Sequence, residues 1–247
     1  MKKYLVWVGA AWFLAACQNV PVTGRSQLQM VSEQQEMKMG LSSFKEILEK
    51  EKLSHDPVLN ARLQRIGKRI AATTGRDDYQ WEFKMIDNDK VQNAFCLPGG
   101  KVAVYTGLLP VAQDDAGLAA VIGYEVAHAI ARHGGERLSQ EMLVAGLTIT
   151  TVVATNDSAQ RDVYAGLLGA GVAVGFLLPY SRLHESEADR MGLIYMAKAG
   201  YDPRAALGLW QRMADVAKGK SKPPEPLSTH PADGPRIKEI ERWLAEP

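Results

Sequence analysis

No stretch of this chain is long and apolar enough to cross a bilayer as an ordinary helix. The N-terminal run Tyr4 to Phe13 is short, and the glycine-rich run Val163 to Leu178 has 16 residues where a span needs roughly 20. The second run therefore reads as a buried helix. Cysteine is scarce, with only Cys17 and Cys96, which excludes a disulfide framework. A dominant charge is missing too: 29 Lys and Arg against 28 Asp and Glu leave +1, and no long basic block suggests a nucleic-acid footprint. No repeat period is visible, which removes solenoids. What remains is 46% hydrophobic composition over 247 residues, enough for one domain of roughly 200 residues with a real core.

The N-terminus carries an address. Lys2 and Lys3 precede the apolar run, which closes on Leu14-Ala15-Ala16-Cys17, the order of a secretory signal. Cysteine after the small pair resembles a bacterial lipoprotein signal, so residues 1–16 are expected to be removed and Cys17 lipidated. Cys96 is then alone. Gln18, in place of the aspartate tied to inner-membrane retention, points to the outer membrane. Residues 17–30 read as a lipidated tether and 31–247 as the globular domain.

Within that domain, Ser32 to Lys52 and a segment capped by Asp56, with Val58, Leu59, Leu63, Ile66 and Ile70 as its buried stripe, have helical spacing. Tyr79 to Ile86 alternates as a strand does, and Asn93 to Thr106 reads as a hairpin about Pro98-Gly99-Gly100. Asp114-Asp115 caps the next helix. Further helices are expected over Met142 to Ala154, Val163 to Leu178, from Ser181, over Arg204 to Val216 and over Asp233 to Leu244. This is an α+β chain, predominantly helical, with one small sheet.

The chemistry gathers in Leu118 to Gly134, LAAVIGYEVAHAIARHG, an apolar helix into which one glutamate and two histidines are set. Such groups are costly to bury without partners. A zinc-protease helix carries H-E-x-x-H, two imidazoles a turn apart beside a general-base glutamate. Here the first position is Tyr124, followed by Glu125 and His128. Positions 124 and 128 share a side and Glu125 sits about 100° round, which suits two ligands and a base. A catalytic zinc needs a third protein ligand, which Glu185 or Glu187 could supply. Glu185 and Asp189 are i, i+4, so one carboxylate can ligate while the other orients a ligand from behind. His133 is expected to point away and to meet the helix dipole as a cation. His184 faces another side than Glu185, His55 lies on the surface, Cys96 is a small buried hydrophobe, and only His230, on a loop, can move in as a substitute ligand.

Five segments in order carry a resemblance: PVTGR after the lipoprotein start, NAFCLPGGKVAVYTGLL, GYEVAHAIARH, SRLHESEADRMG and STHPADGPRI. Together they resemble the HtpX and CAAX-prenyl-protease family of zinc metalloendopeptidases, gluzincins of metallopeptidase family forty-eight, and within it the periplasmic lipoprotein branch. The resemblance implies a zincin-like fold whose sheet edge faces the active-site helix, with Lys101, Val102, Ala103 and Val104 as the edge that pairs with extended substrate. It makes Glu125 the general base, His128 and Glu185 zinc ligands, Asp189 their orienter, and His230 a loop residue that gates the metal or stabilises the transition state. One Zn2+ per chain is implied. Tyr124 stands where the family has histidine, and a phenol must lose a proton to bind metal strongly. The implied function is zinc-dependent cleavage of misfolded or unassembled envelope proteins. The alternative is an inactive chaperone or adaptor, in which the Tyr124 hydroxyl donates to Asp189. Implied partners are those substrates, the outer-membrane assembly machinery and, through the lipid, the membrane on its periplasmic side, with no nucleic acid.

Overall fold

The computed structural model describes residues 17–154, 178–217 and 234–246. The signal segment, most of Val163–Leu178 and His230 lie outside the described residues. Within them the chain is an α+β domain dominated by helices.

Local signals set most element starts. Helix α1 (Glu33–Lys50) begins at a capping box in which Ser32 accepts from the Gln35 amide while the Gln35 side chain accepts from the Ser32 amide. Asp56 caps α2 (Pro57–Ala71) through the amides of Val58 and Leu59. Leu63, Ile66 and Ile70 of α2 are fully buried, whereas Val58, counted above in that stripe, is 72% exposed, because the first turn of the helix overhangs the core.

Residues 17–30, read above as a tether, are folded onto the body. Strand β1 (Cys17–Asn19) pairs antiparallel with β2 (Ser26–Leu28), and Val20 between them is buried in the main core. The buried amides of Gln27 and Gln29 donate to the carbonyls of Ala131 (2.9 Å) and Arg132 (3.0 Å). The Ala131 carbonyl sits just past a helix C-terminus, where backbone acceptors have no intrahelical partner, and the Arg132 carbonyl also accepts from the Glu136 amide (3.0 Å) at the start of the next helix.

The main sheet holds β3 (Glu82–Ile86), β4 (Ala94–Leu97) and β5 (Lys101–Tyr105) in the order β3-β5-β4. β5 runs parallel to β3 and antiparallel to β4. Lys101 to Val104 are therefore the middle strand, not the edge. The outer side of β3 is covered by residues 52–54, where the Ser54 amide donates to Met85 and the Asp87 amide to Lys52. Among the described residues no strand pairs with the outer side of β4.

After a 3-10 turn (Thr106–Leu108) and the short α3 (Leu109–Ala112), helix α4 (Asp115–Ile130) starts where Asp114 accepts from the Gly117 amide. It runs through the centre of the molecule and packs on β4 and on α6 (Leu178–Lys198). Two glycines permit that crossing: a Cβ on Gly192 would lie 3.0 Å from the Tyr124 amide nitrogen and 3.2 Å from the Gly123 carbonyl carbon. The close approach brings the carboxylates of α6 to the polar side chains of α4. Helix α5 (His133–Ala154) begins nine residues before the expected Met142, because the chain breaks at Arg132 with φ +58°. Helices α7 (Ala205–Ala217) and α8 (Gly234–Ala245) close the domain. No described helix is long and apolar enough to cross a membrane.

Candidate active site

Helix α4 supplies Tyr124, Glu125 and His128, and α6 brings Glu185 against them. Glu125 is 8% exposed and faces a cleft with Asn93 and Ala94 at the start of β4, Val121, Trp210 and Met213. His128 Nε2 lies 3.6 Å from Glu185 Oε1. The Tyr124 hydroxyl donates to Glu185 Oε2, and its ring packs edge-on against His128 and Trp210. Burial, reinforced by the Glu185 and Glu125 charges, holds the phenol well above its usual pKa despite Arg236. Tyr124 is thus a neutral hydrogen-bond donor.

Arg236 of α8 was not anticipated in this role. Its guanidinium bonds both oxygens of Asp189, lies 3.2 Å from Glu185 Oε2, and covers the rings of Trp210 (3.7 Å) and Tyr124 (4.5 Å). Asp189 is therefore held by Arg236, and the Tyr124 hydroxyl reaches Glu185 rather than Asp189. Burial pushes the Asp189 carboxyl up to about 6, against the pull of Arg236.

A second buried cluster lies behind His128. His133 does not point away: the break at Arg132 turns it back, so its Nδ1 is 2.8 Å from His128 Nδ1 and its Nε2 3.0 Å from Glu187. Nor is it a cation, since burial lowers its pKa to about 4. His184 turns away from Glu185, as expected, stacking on His133 and meeting Glu136 at 2.9 Å. Arg25, on the β1–β2 turn, bridges Glu136 (2.7 Å) and Glu187 (2.8 Å), and Thr23 also donates to Glu187. Burial opposes ionisation of Glu187, but hydrogen bonds from His133, Thr23 and Arg25 outweigh it and hold it at about 2. Glu187 is thus not a ligand beside Glu185 but the anchor of this cluster. Both arginines stand in quoted motifs, PVTGR and STHPADGPRI. The signal that could have assigned them is the number of carboxylates on apolar helices, each requiring a cation.

This cluster makes stability depend on pH with a definite sign. The folded state holds His133 neutral down to about 4, while the unfolded chain takes up the proton near 6.5. Stability is therefore lost as pH falls through that window, by up to about 3 kcal/mol for a shift of this size. Urea midpoints of wild type and His133→Gln from pH 7.5 to 4 are expected to converge at the acid end; parallel curves would contradict this.

The match to known proteins follows this geometry. Residues 57–244 fit the model of peptidase family M48. The chain belongs to peptidase family M48. M48 relatives include the mitochondrial metalloendopeptidase OMA1 of Schizosaccharomyces pombe, 36% identical over 98% of this chain and 71% of that protein. The namesake in Saccharomyces cerevisiae is 31% identical over 98% and 74%. The beta-barrel assembly-enhancing protease of Yersinia pestis is 31% identical over 91% of this chain, which spans 47% of that longer protein.

M48 peptidases are in general zinc-dependent metallopeptidases, so the donor set can be tested against zinc. His128 and Glu185 are suitable donors from facing helices. Tyr124, beside them, is a neutral phenol that spends its proton on Glu185. Among the described residues no group of three His, Cys, Asp or Glu could hold a metal ion. The described donors therefore do not fit a three-ligand catalytic zinc site.

Proposed function

We propose that this protein is an M48 endopeptidase of low turnover that acts on misfolded or unassembled proteins of the bacterial envelope, lipid-anchored through Cys17 on the periplasmic side of the outer membrane. One observation carries the reading: Glu125 lies in a cleft beside β4, whose outer side pairs with no described strand. An extended substrate segment would add to Ala94–Leu97 by backbone hydrogen bonds, a recognition tolerant of sequence. Glu125 would take a proton from the attacking water and deliver it to the leaving amine. Relatives named for β-barrel assembly and the lipoprotein-like N-terminus support the envelope over the mitochondrial setting of the OMA1 relatives. They also support the outer-membrane assembly machinery as a partner. Tyr124, in the place of a zinc-binding histidine, limits turnover.

The bond from Tyr124 to Glu185 favours a second reading, a non-hydrolysing chaperone or adaptor that keeps the groove. Cleavage of casein at saturating zinc separates the two. Slow cleavage that disappears in Glu125→Gln supports the endopeptidase. Binding of unfolded protein without any cleavage assigns the groove to capture alone.

A further inference from the structure

The N-terminal hairpin has two unlike faces. Residues paired across an antiparallel ladder share a face, and successive residues alternate. Gln18 and its partner Gln27 face the body, where Gln18 accepts from Arg132 and Gln27 donates to the Ala131 carbonyl. Cys17 and its partner Leu28 therefore face outward, and Met30, two residues on, is 48% exposed on the same side. The Met30 amide donates to Ser139 (2.8 Å), which sets exposed Met142, one turn further along α5, beside it. At the turn Val22 is 56% exposed and holds φ +73°, a conformation that a β-branched residue adopts only under strain. Exposed Leu183 lies one turn of α6 before Glu187, which Thr23 and Arg25 hold. Between Cys17 and Val31 the only charged side chain is Arg25, and it is bound to Glu136 and Glu187. The outward face is thus apolar and free of acidic side chains.

We propose that this face, with Val22, Met30, Met142 and Leu183 as its apolar contacts, docks directly on the phospholipid surface that receives the Cys17 lipid. The proposal rests on the preceding reading only in taking Cys17 as lipid-bearing. What selects a bilayer as the occupant is the place where the lipid leaves the body. Cys17 is itself a ladder residue of β1, so acyl chains on its sulfur start from the side that carries Leu28 and Met30, with no free tether between them and the hairpin. Apolar side chains on that side leave water for the boundary of headgroups and hydrocarbon, and no carboxylate has to be desolvated with them. Thr23 and Arg25 clamp the same hairpin to α6 through Glu187, so the body is held at one attitude to the membrane instead of swinging on a linker.

The test is photo-crosslinking of the full chain, processed in cells and reconstituted into vesicles of phosphatidylethanolamine and phosphatidylglycerol. Photoreactive p-benzoylphenylalanine replaces Val22, Met30, Met142 or Leu183 singly, all exposed positions at which the fold makes little demand. Val58, exposed on the first turn of α2, is the control. After irradiation, peptides that contain positions 22, 30, 142 and 183 are expected to gain the mass of one phospholipid, and the peptide that contains position 58 is not. A lipidated chain without these adducts, or with equal adducts at position 58, overturns the docking face and leaves the anchor intact. Crosslinked dimers in place of lipid adducts assign the face to a second copy of the chain and overturn it as well. A chain whose mass shows no lipid on Cys17 overturns the anchored reading and the docking face together.

Discussion

Tyr124→His is expected to give a protein that copurifies with one zinc per chain and cleaves casein at least ~100-fold faster than wild type, the lower end of what one well-placed catalytic group contributes. A neutral imidazole offers a lone pair at pH 7, whereas the Tyr124 phenol keeps its proton because burial raises its pKa. The substitution also releases the Glu185 oxygen that the phenol occupies. Tyr124→Phe is the control: it frees Glu185 without adding a ligand, so it should gain neither zinc nor activity. Metal analysis by mass spectrometry beside a casein assay checks both variants. No gain in Tyr124→His would mean that the missing ligand is not what limits the site.

The second large effect is on stability. Arg236→Met should lower the unfolding free energy by about 3–5 kcal/mol, the usual result of leaving buried carboxylates without their cation. Arg236 is 5% exposed and is held against Asp189 and Glu185. In the variant Asp189 loses its partner and its folded pKa rises further above the ordinary carboxylate value. A raised folded pKa contributes stability at low pH that is lost as pH rises. The gap to wild type should therefore widen from pH 5 to pH 8 in urea denaturation. A gap that narrows over that range would mean that Asp189 is not the group left uncompensated.

The two predictions concern the same few side chains, and they show why the site was only half legible beforehand. Tyr124, Glu125 and His128 could be placed on one helix, and Glu185 and Asp189 on another, because spacing along a helix fixes which side chains share a face. The family followed from motifs in the right order. What spacing could not supply was the partner of each buried charge. His133 illustrates the limit: helical periodicity sends it to the far side, and a single residue with positive φ, Arg132, brings it back against His128. Gln27 and Gln29, unremarkable in a polar N-terminal stretch, are buried because they bond the Ala131 carbonyl at the end of α4 and the Arg132 carbonyl at the start of α5.

By itself, then, the sequence determined the helical stretch from Ser32, the helices capped by Asp56 and Asp114, the predominantly helical α+β class and the helix that carries Tyr124, Glu125 and His128. These are short-range properties, set by periodicity and by side chains that bond the backbone a few residues away. Only the tertiary structure decided that β5 is the middle strand and β4 the open edge, that residues 17–30 fold onto the body, and that Arg236 and Arg25 are the cations of the two buried clusters. Strand order and the pairing of buried charges depend on which distant segments meet. That choice is made by the packing of the whole core, and no local pattern records it.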